Sequence, residues 1–531
     1  MLAKQSRLTD HTESSLAPIC RLPPEILGYI LLLNCVENNF NTTPQSPSSR
    51  LSSAFVYSQV CQVWRDTALN TPRMWTNITI GLNFDSGFYA EPGDDDCHTT
   101  IMPLGYVMRR MFSVRTALQY CLQRSSQSPL NLKLEFGSID DLGDAGNVIM
   151  EDLFVHSYRW RSLSMSFADL PQSVKAQTCH RVDKQFSMGI RELPLLEHFG
   201  IMQDMFAELR RFTLIIQRAS RLRSARLDFG SKATRINEES SQNVPWAQLS
   251  NLEVIAAPYD GMEKILSRCE NLSTLSIENG AHFLPRPLET VSFKHLHTLS
   301  LGKFIECGTI GFAATLQGVF SFLVLPALTT LTISENDVPP VRTNLNSAGT
   351  SWPQEVFSEF MSRSQCSLTS LSLDRIPITD SEVLSVLRLV PTLINLEINE
   401  PAIPGINIIT DRFFKNLYVS TLEFGFGNEK GDTLLPRLRD LKIRVTQTDL
   451  RFSMHQFVEM VMSRWLPNAL DLEQVGVHCI RKVTLVVLNR RGDEGRFEKA
   501  AYHALMQLED AGLQVEVSGL DLSTEVEGKG V

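Results

Sequence analysis

A short pattern, apolar-x-x-apolar-x-apolar, recurs along the chain as LEHFGI, LRSARL, LSNLEV, LSTLSI, LHTLSL, LTTLTI, LTSLSL, LINLEI, VSTLEF and LRDLKI. Its middle apolar residues are Phe199, Ala225, Leu252, Leu275, Leu299, Leu331, Leu371, Leu396, Leu422 and Leu441. Neighbours lie 19 to 27 residues apart, except for two longer steps that end at Leu331 and Leu371. WRSLSM around Leu163 and LNLKLEF at 130–136 extend the series upstream. Each pattern ends in alternation of apolar and polar residues, the mark of a strand with one covered face. Helical stretches lie between. In TDSEVLSVLRLVP, Thr379 and Glu382 match a capping box, Val383, Val386, Leu387 and Val390 form the apolar stripe, and Pro391 stops the helix. The series closes with VTLVVL, EKAAYHALMQLEDAG and LQVEV, read as strand, helix and strand.

A strand–helix unit repeated at this spacing is that of leucine-rich repeats. The expected fold is an α/β leucine-rich-repeat solenoid over residues 105–518, with parallel strands lining a concave face and helices outside. A doubly wound α/β domain also alternates strand and helix, so that alternative stays open. If Leu275 and Ile277 face the core, Thr274, Ser276 and Glu278 face away, and the register can be carried down the series. About ten strands at roughly 4.8 Å spacing would make a face near 45 Å long, enough for a protein or an extended peptide. The expected strip is mostly hydroxyls, turns acidic from Asp374 to Glu423, and is mixed beyond. Thr274, Ser276, Ser300, Thr332, Ser372, Asp374 and Glu397 are candidate substrate contacts. Ser and Thr also suit exposed strand faces with no ligand in view.

The N-terminal segment has another rhythm. In ICRLPPEILGYILLL two prolines open a helix on which Ile26, Leu27, Ile30, Leu31 and Leu33 recur at helical spacing. NNFNTTPQSPSSR reads as a flexible loop. A second helix carries Val56, Val60, Val63, Trp64 and Thr67 along one face and ends at Pro72. So small a helical pair or trio must bury its apolar faces against the next domain or a partner.

LPPEIL, S-x-V-C-x-x-W-R from Ser58 to Arg65, and A-L-x-T-P-x-x-W from Ala68 to Trp75 together resemble the F-box, in the form carried by many F-box proteins of basidiomycete fungi. The likeness covers about residues 18–80. It implies a small all-α F-box helical module of three helices that docks on a Skp-type adaptor and through it on a cullin scaffold. Leu22, Pro23, Ile26, Leu27, Val60, Cys61 and Trp64 would then form or support the docking surface. The interhelical loop is longer than in that family, and the helical segment that often precedes the motif is nearly absent. A second likeness, PTLINLEI, LLPRLRDLKI and MSRWLP, covers about 370–470. The competing reading makes the helices an end cap of the solenoid.

Composition narrows the function. With 43% apolar and 21% charged residues the chain reads as folded, with tails at 1–17 and 519–531 expected to be disordered. A net charge of −9 argues against a nucleic-acid partner. Ten scattered cysteines without a C-x-x-C pair fit buried thiols in a reducing compartment, cytoplasmic or nuclear. The first 15 residues hold no apolar run of signal-peptide length, and the uncharged stretch 307–334 is expected to be a buried helix and strand, with no membrane contact.

Arg210, Arg211, Arg218, Arg221, Arg223 and Arg226 crowd one segment; Arg218, Arg221 and Arg223 are candidates to grip a phosphorylated or acidic substrate, against the alternative of a solvated helix face. Catalytic motifs are missing. The glycines from Gly425 to Gly431 are spaced one residue too long for a dinucleotide fingerprint. His295 and His297 share a strand face without a third ligand, and the acidic loop at 85–97 is no calcium loop. No metal, cofactor or catalytic residue is therefore expected. By resemblance the chain is the substrate-recognition subunit of a Skp–cullin–F-box ubiquitin ligase, acting by proximity. The alternatives are a scaffold or ligand-binding solenoid without a ligase role, and a solenoid with a small-molecule pocket.

Overall fold

The computed structural model describes residues 19, 22–41, 53–82, 104–136, 144–167, 186, 189–190, 192–202, 216–229, 244–256, 262–278, 290–302, 312–335, 352–401, 406–419, 433–445, 451–467, 476–488 and 499–520. The chain forms two compact units, Met1–Gly230 with Ile236–Gln248, and Ser231–Arg235 with Leu249–Val531.

The first unit contains α1 (Pro24–Asn34), β1 (Asn38–Asn41), α2 (Ser53–Val60), α3 (Gln62–Leu69), a 3-10 turn (Pro72–Trp75) and β2 (Asn77–Leu82). It continues through α4 (Leu104–Arg124), β3 (Leu130–Phe136), α5 (Asp144–Phe154), β4 (Trp160–Phe167), β5 (His198–Met202) and β6 (Ser224–Asp228). Its strands pair in parallel and in chain order. Ile78, Leu132, Leu163, Phe199 and Ala225 stand opposite one another as one buried row.

The second unit holds β7 (Asn251–Ile255), α6 (Met262–Leu266), β8 (Thr274–Glu278), β9 (Val291–Ser292), β10 (Thr298–Gly302), α7 (Phe312–Phe322), β11 (Leu323–Val324), β12 (Thr330–Ser334) and α8 (Gln354–Ser364). It ends with β13 (Ser370–Asp374), α9 (Asp380–Arg388), β14 (Asn395–Asn399), α10 (Asp411–Leu417), β15 (Asp440–Val445), α11 (Met454–Arg464), β16 (Lys482–Leu488), α12 (Lys499–Asp510) and β17 (Gln514–Leu520). The parallel order is β7-β8-β10-β12-β13-β14-β15-β16-β17, with β9 and β11 as a separate pair. A second row of matched residues runs Leu252, Leu275, Leu299, Leu331, Leu371, Leu396, Leu441, Val483 and Val515.

Within each unit the strands follow chain order, without the reversal of order a doubly wound sheet has. This arrangement is compatible with a solenoid. Each fully buried leucine of the row contributes about 2–3 kcal/mol. A slip by one residue would turn the whole row outward, so the repeated pattern also fixes register. The Thr379 capping box forms as the sequence predicts: Glu382 N–H donates to Thr379 Oγ1, and Thr379 N–H donates to Glu382 Oε2 at 2.9 Å.

Helix ends are tied to the preceding repeat by arginines. Arg464, 0% exposed, donates to the carbonyls of Leu417, Leu434 and Leu435 at 2.5, 2.5 and 3.0 Å. Arg363 donates to Phe320 O at 2.6 Å, and buried Arg159 to Leu122 O at 2.9 Å. Carbonyls near helix C-termini, here those of Leu417, Phe320 and Leu122, lack intrahelical donors, and these guanidinium groups supply them; Arg464 also satisfies the carbonyls of the turn before β15. The neighbouring serines reverse the polarity: Ser364 Oγ accepts from Leu325 N–H and Ser463 Oγ from Val419 N–H, each at 3.1 Å.

Several expectations change. The segment read as a flexible loop begins with β1, which pairs with β2; its remainder, 42–50, lies outside the described residues. β1 forms because buried Asn38 donates to Met74 O at 2.7 Å and Asn77 O at 3.2 Å, and accepts from Ala54 N–H at 3.2 Å. The expected single helix through Val56 and Thr67 breaks at Cys61, whose backbone is extended. The strand at Leu422, the loop from Gly425 to Gly431 and the acidic loop at 85–97 lie outside the described residues; β14 hydrogen-bonds directly to β15. His295 and His297 sit exposed in the turn before β10, not on a strand face. β17 continues through Leu520, two residues into the stretch expected as a tail; 1–17 and 521–531 lie outside the described residues. The uncharged stretch resolves into α7, β11 and β12, and among the described residues no helix is long and apolar enough to cross a membrane.

Candidate docking surface

The N-terminal helices are apolar on more sides than they can bury. On α1, Leu27 and Leu31 turn inward, as does Gly28, where a Cβ would lie 3.3 Å from Thr71 Oγ1 and 3.4 Å from Thr67 Cγ2. α1 and α3 thus meet closely at Gly28. Beneath them Trp75 is fully buried and donates its indole N–H to Ala68 O at 2.9 Å. Its ring packs edge-on against Phe55 at 5.2 Å and Tyr120 at 5.5 Å. These contacts fasten the helices to α4 and the start of the first unit's sheet.

The opposite side stays uncovered. Ile26 is 50% exposed, Tyr29 62%, Leu33 64%, and Val36, just beyond the helix, 74%. Ile26, Tyr29 and Leu33 are spaced to share one side of α1. Val56 and Val60 on α2 and Val63 on α3 are exposed as well. α2 is held to the end of α1 by Tyr57, whose hydroxyl donates to Asn34 O at 3.2 Å while its ring stands 6.0 Å from that of Trp64. Arg65 Nε donates to Ser58 O at 2.9 Å and braces the corner at Cys61. Monomeric proteins rarely leave so many large apolar side chains on one small module unless something covers them.

Of the residues assigned to docking, Ile26, Pro23 and Val60 are exposed, and Leu22, Cys61 and Trp64 are half-buried. Leu27 is sealed inside and supports the surface from below. Sequence reasoning did not single out Tyr29 and Val36. The available signal was that α1 is apolar all round, which period alone cannot resolve into an inner and an outer face.

The polar strip forms with the expected alternation. Thr274, Ser276, Ser300, Thr332, Ser372, Asp374 and Glu397 are half-buried on β8 to β14. Ser276, Ser300, Thr332, Ser372 and Glu397 stand in one row across the strands. Gly302 lets Ser334 cross the row's margin, since a Cβ there would come 2.5 Å from Ser334 Oγ. The acidity read from Asp374 onward is neutralised locally. Glu397 pairs with Lys442 at 2.6 Å, and Asp374 pairs with Arg375 at 3.1 Å and accepts from Asn399 at 2.8 Å. Glu423 lies outside the described residues.

The arginine segment is not one helix face. Arg218, Arg221 and Arg223 occupy turns before β6, and Arg210 and Arg211 lie outside the described residues. Arg218 donates to Ile190 O at 2.7 Å. Glu197, bonded to Arg161 at 2.9 Å and facing Arg223, is held below the usual carboxylate range by those cations and His198. Among the described residues no cluster of His, Cys, Asp and Glu could hold a metal ion. Burial pushes the Cys35 thiol up to about 11 and the Cys269 thiol to about 12, so both are protonated and unreactive at neutral pH.

No protein-family model and no curated protein matches this sequence.

Proposed function

We propose that this chain is the substrate receptor of a ubiquitin ligase, with residues 18–80 as an F-box module and the repeats as a leucine-rich-repeat substrate-binding surface. The uncovered apolar side of α1 and α2 carries this reading. Ile26, Tyr29, Leu33, Val36, Val56, Val60 and Val63 together leave the equivalent of about four whole side chains open to water; burying them is worth roughly 6–11 kcal/mol before the costs of association. A helical adaptor of the Skp type is a fitting cover, and it is the partner implied by the LPPEIL and Ser58–Arg65 motifs. Through it the chain reaches a cullin scaffold, in the cytoplasm or nucleus. The chain needs no catalytic residue of its own; it raises the effective concentration of substrate at a conjugating enzyme.

The end-cap reading accounts for the inner side of the module, where Trp75 and Phe55 pack on Tyr120 of α4 and Phe55 packs on Phe40 of β1. It leaves the outer side without a purpose. One module serves both roles, capping inward and docking outward.

The test is co-purification of the full chain with a Skp-type adaptor, with and without Leu22→Ala and Pro23→Ala. Capture that both substitutions weaken supports the reading. Absent capture, or capture that neither substitution changes, removes it.

A further inference from the structure

A second set of arginines gathers at the N-terminal ends of β15 and β16, in the second unit. His478 N–H donates to Pro436 O at 2.7 Å, and Arg481 N–H donates to Arg439 O at 2.7 Å. These bonds lay the segment before β16 along the segment before β15, which places Arg437, Arg439, His478 and Arg481 together. Arg439 Nε donates to His478 Nδ1 at 3.2 Å. With Nδ1 accepting, the imidazole proton resides on Nε2, which is left as a donor. Arg437 and Arg481 are exposed and Arg439 is half-buried. Among the described residues no carboxylate forms an ion pair with any of the three. Burial, then the nearby Arg439, Arg437 and Arg481, hold the His478 imidazole below its usual range.

Three guanidinium groups near a neutral imidazole repel one another, and once Arg439 has taken the His478 Nδ1 acceptor the arrangement offers many N–H donors and no further acceptor. Guanidinium forks match the oxygen geometry of phosphate, and several together favour a dianion over a single carboxylate. We propose that Arg437, Arg439, His478 and Arg481 form a binding site for a phosphate monoester presented by a phosphorylated protein segment. The site rests on the receptor reading for the source of the phosphate, but its test needs no adaptor. Loss of anion binding and loss of adaptor docking are therefore separate results.

Full-length chain is titrated with a fluorescein-labelled peptide, Gly-Ala-phosphoSer-Ala-Gly, and with its unphosphorylated twin. The phosphopeptide is expected to bind and the twin not. Exchanging all three arginines for Gln is expected to weaken binding at least tenfold; Lys415→Gln, exposed on α10, leaves it unchanged. The single variants Arg437→Gln and Arg481→Gln, both at exposed positions, carry the test if the triple variant fails to fold, each with a several-fold loss. Inorganic phosphate should displace the peptide. Equal binding of the twins, undiminished binding by the arginine variants, or failure of phosphate to compete overturns the proposal. A short oligothymidylate that outcompetes the phosphopeptide overturns its assignment to a phosphorylated protein.

Discussion

Neighbouring residues on α1 permit a sharp separation of docking from folding. Ile26 is 50% exposed and Leu33 64%, whereas Leu27 between them is 0% exposed. Covering the open part of Ile26 and Leu33 would contribute about 1–1.5 kcal/mol each, so Ile26→Ala with Leu33→Ala should weaken adaptor binding by about 2–3 kcal/mol, or roughly 30- to 150-fold in Kd. Because these side chains already face water, the double variant should change folding stability by no more than about 0.5 kcal/mol. Leu27→Ala removes a buried side chain and should cost about 2–5 kcal/mol of stability. Calorimetric titration with a Skp-type adaptor reads the first quantity, and thermal unfolding reads the second. The reasoning fails if the double variant binds as tightly as the parent, or if it melts as early as Leu27→Ala.

Three further outcomes follow from the interior. Arg464→Met leaves the carbonyls of Leu417, Leu434 and Leu435 without donors and should cost about 3 kcal/mol or more in denaturant unfolding; a loss below about 1 kcal/mol contradicts the bonding described. Thr379→Ala removes the capping-box acceptor and should cost about 1 kcal/mol, read in the same way. Glu400 is buried and accepts from Ile408 N–H at 2.9 Å and Ile409 N–H at 2.7 Å, and burial raises its pKa despite those bonds. The folded chain therefore holds this proton more tightly than the unfolded one, and stability falls as pH rises from the unfolded carboxyl pKa of about 4.3 through the raised folded value. Glu400→Gln should cancel that fall, so its melting temperature relative to the parent rises over this window and then levels; a constant difference from pH 4 to 8 contradicts it.

The sheet was readable because each repeat repeats its own reason. Leu275, Leu299, Leu331, Leu371 and Leu396 are spaced so that one register buries them all, and no other register does. Thr379 and Glu382 were readable because a capping box is local. What escaped was assembled from distant segments. β1 carries no alternation and is held by the carboxamide of Asn38 reaching Met74 and Asn77. The strip looked acidic because Lys442 stands on the next strand from Glu397, a pairing that only register reveals. Arg437 and Arg439 on one segment and Arg481 on another lie some forty residues apart in the chain, and only backbone bonds between the two segments bring them together. The outer face of α1 was hidden for the opposite reason. Between Glu25 and Asn34 every side of the helix is apolar, so sequence could not say which side the fold would cover.

Hydrogen exchange of the full chain, alone and with a Skp-type adaptor, tests the division of labour directly. The account expects added protection across residues 24–36 and 53–63, whose apolar side chains stand open, and unchanged exchange along the strip strands from Thr274 to Asn399. Protection that falls on the strip, or none on α1 and α2 while the adaptor is bound, would contradict it.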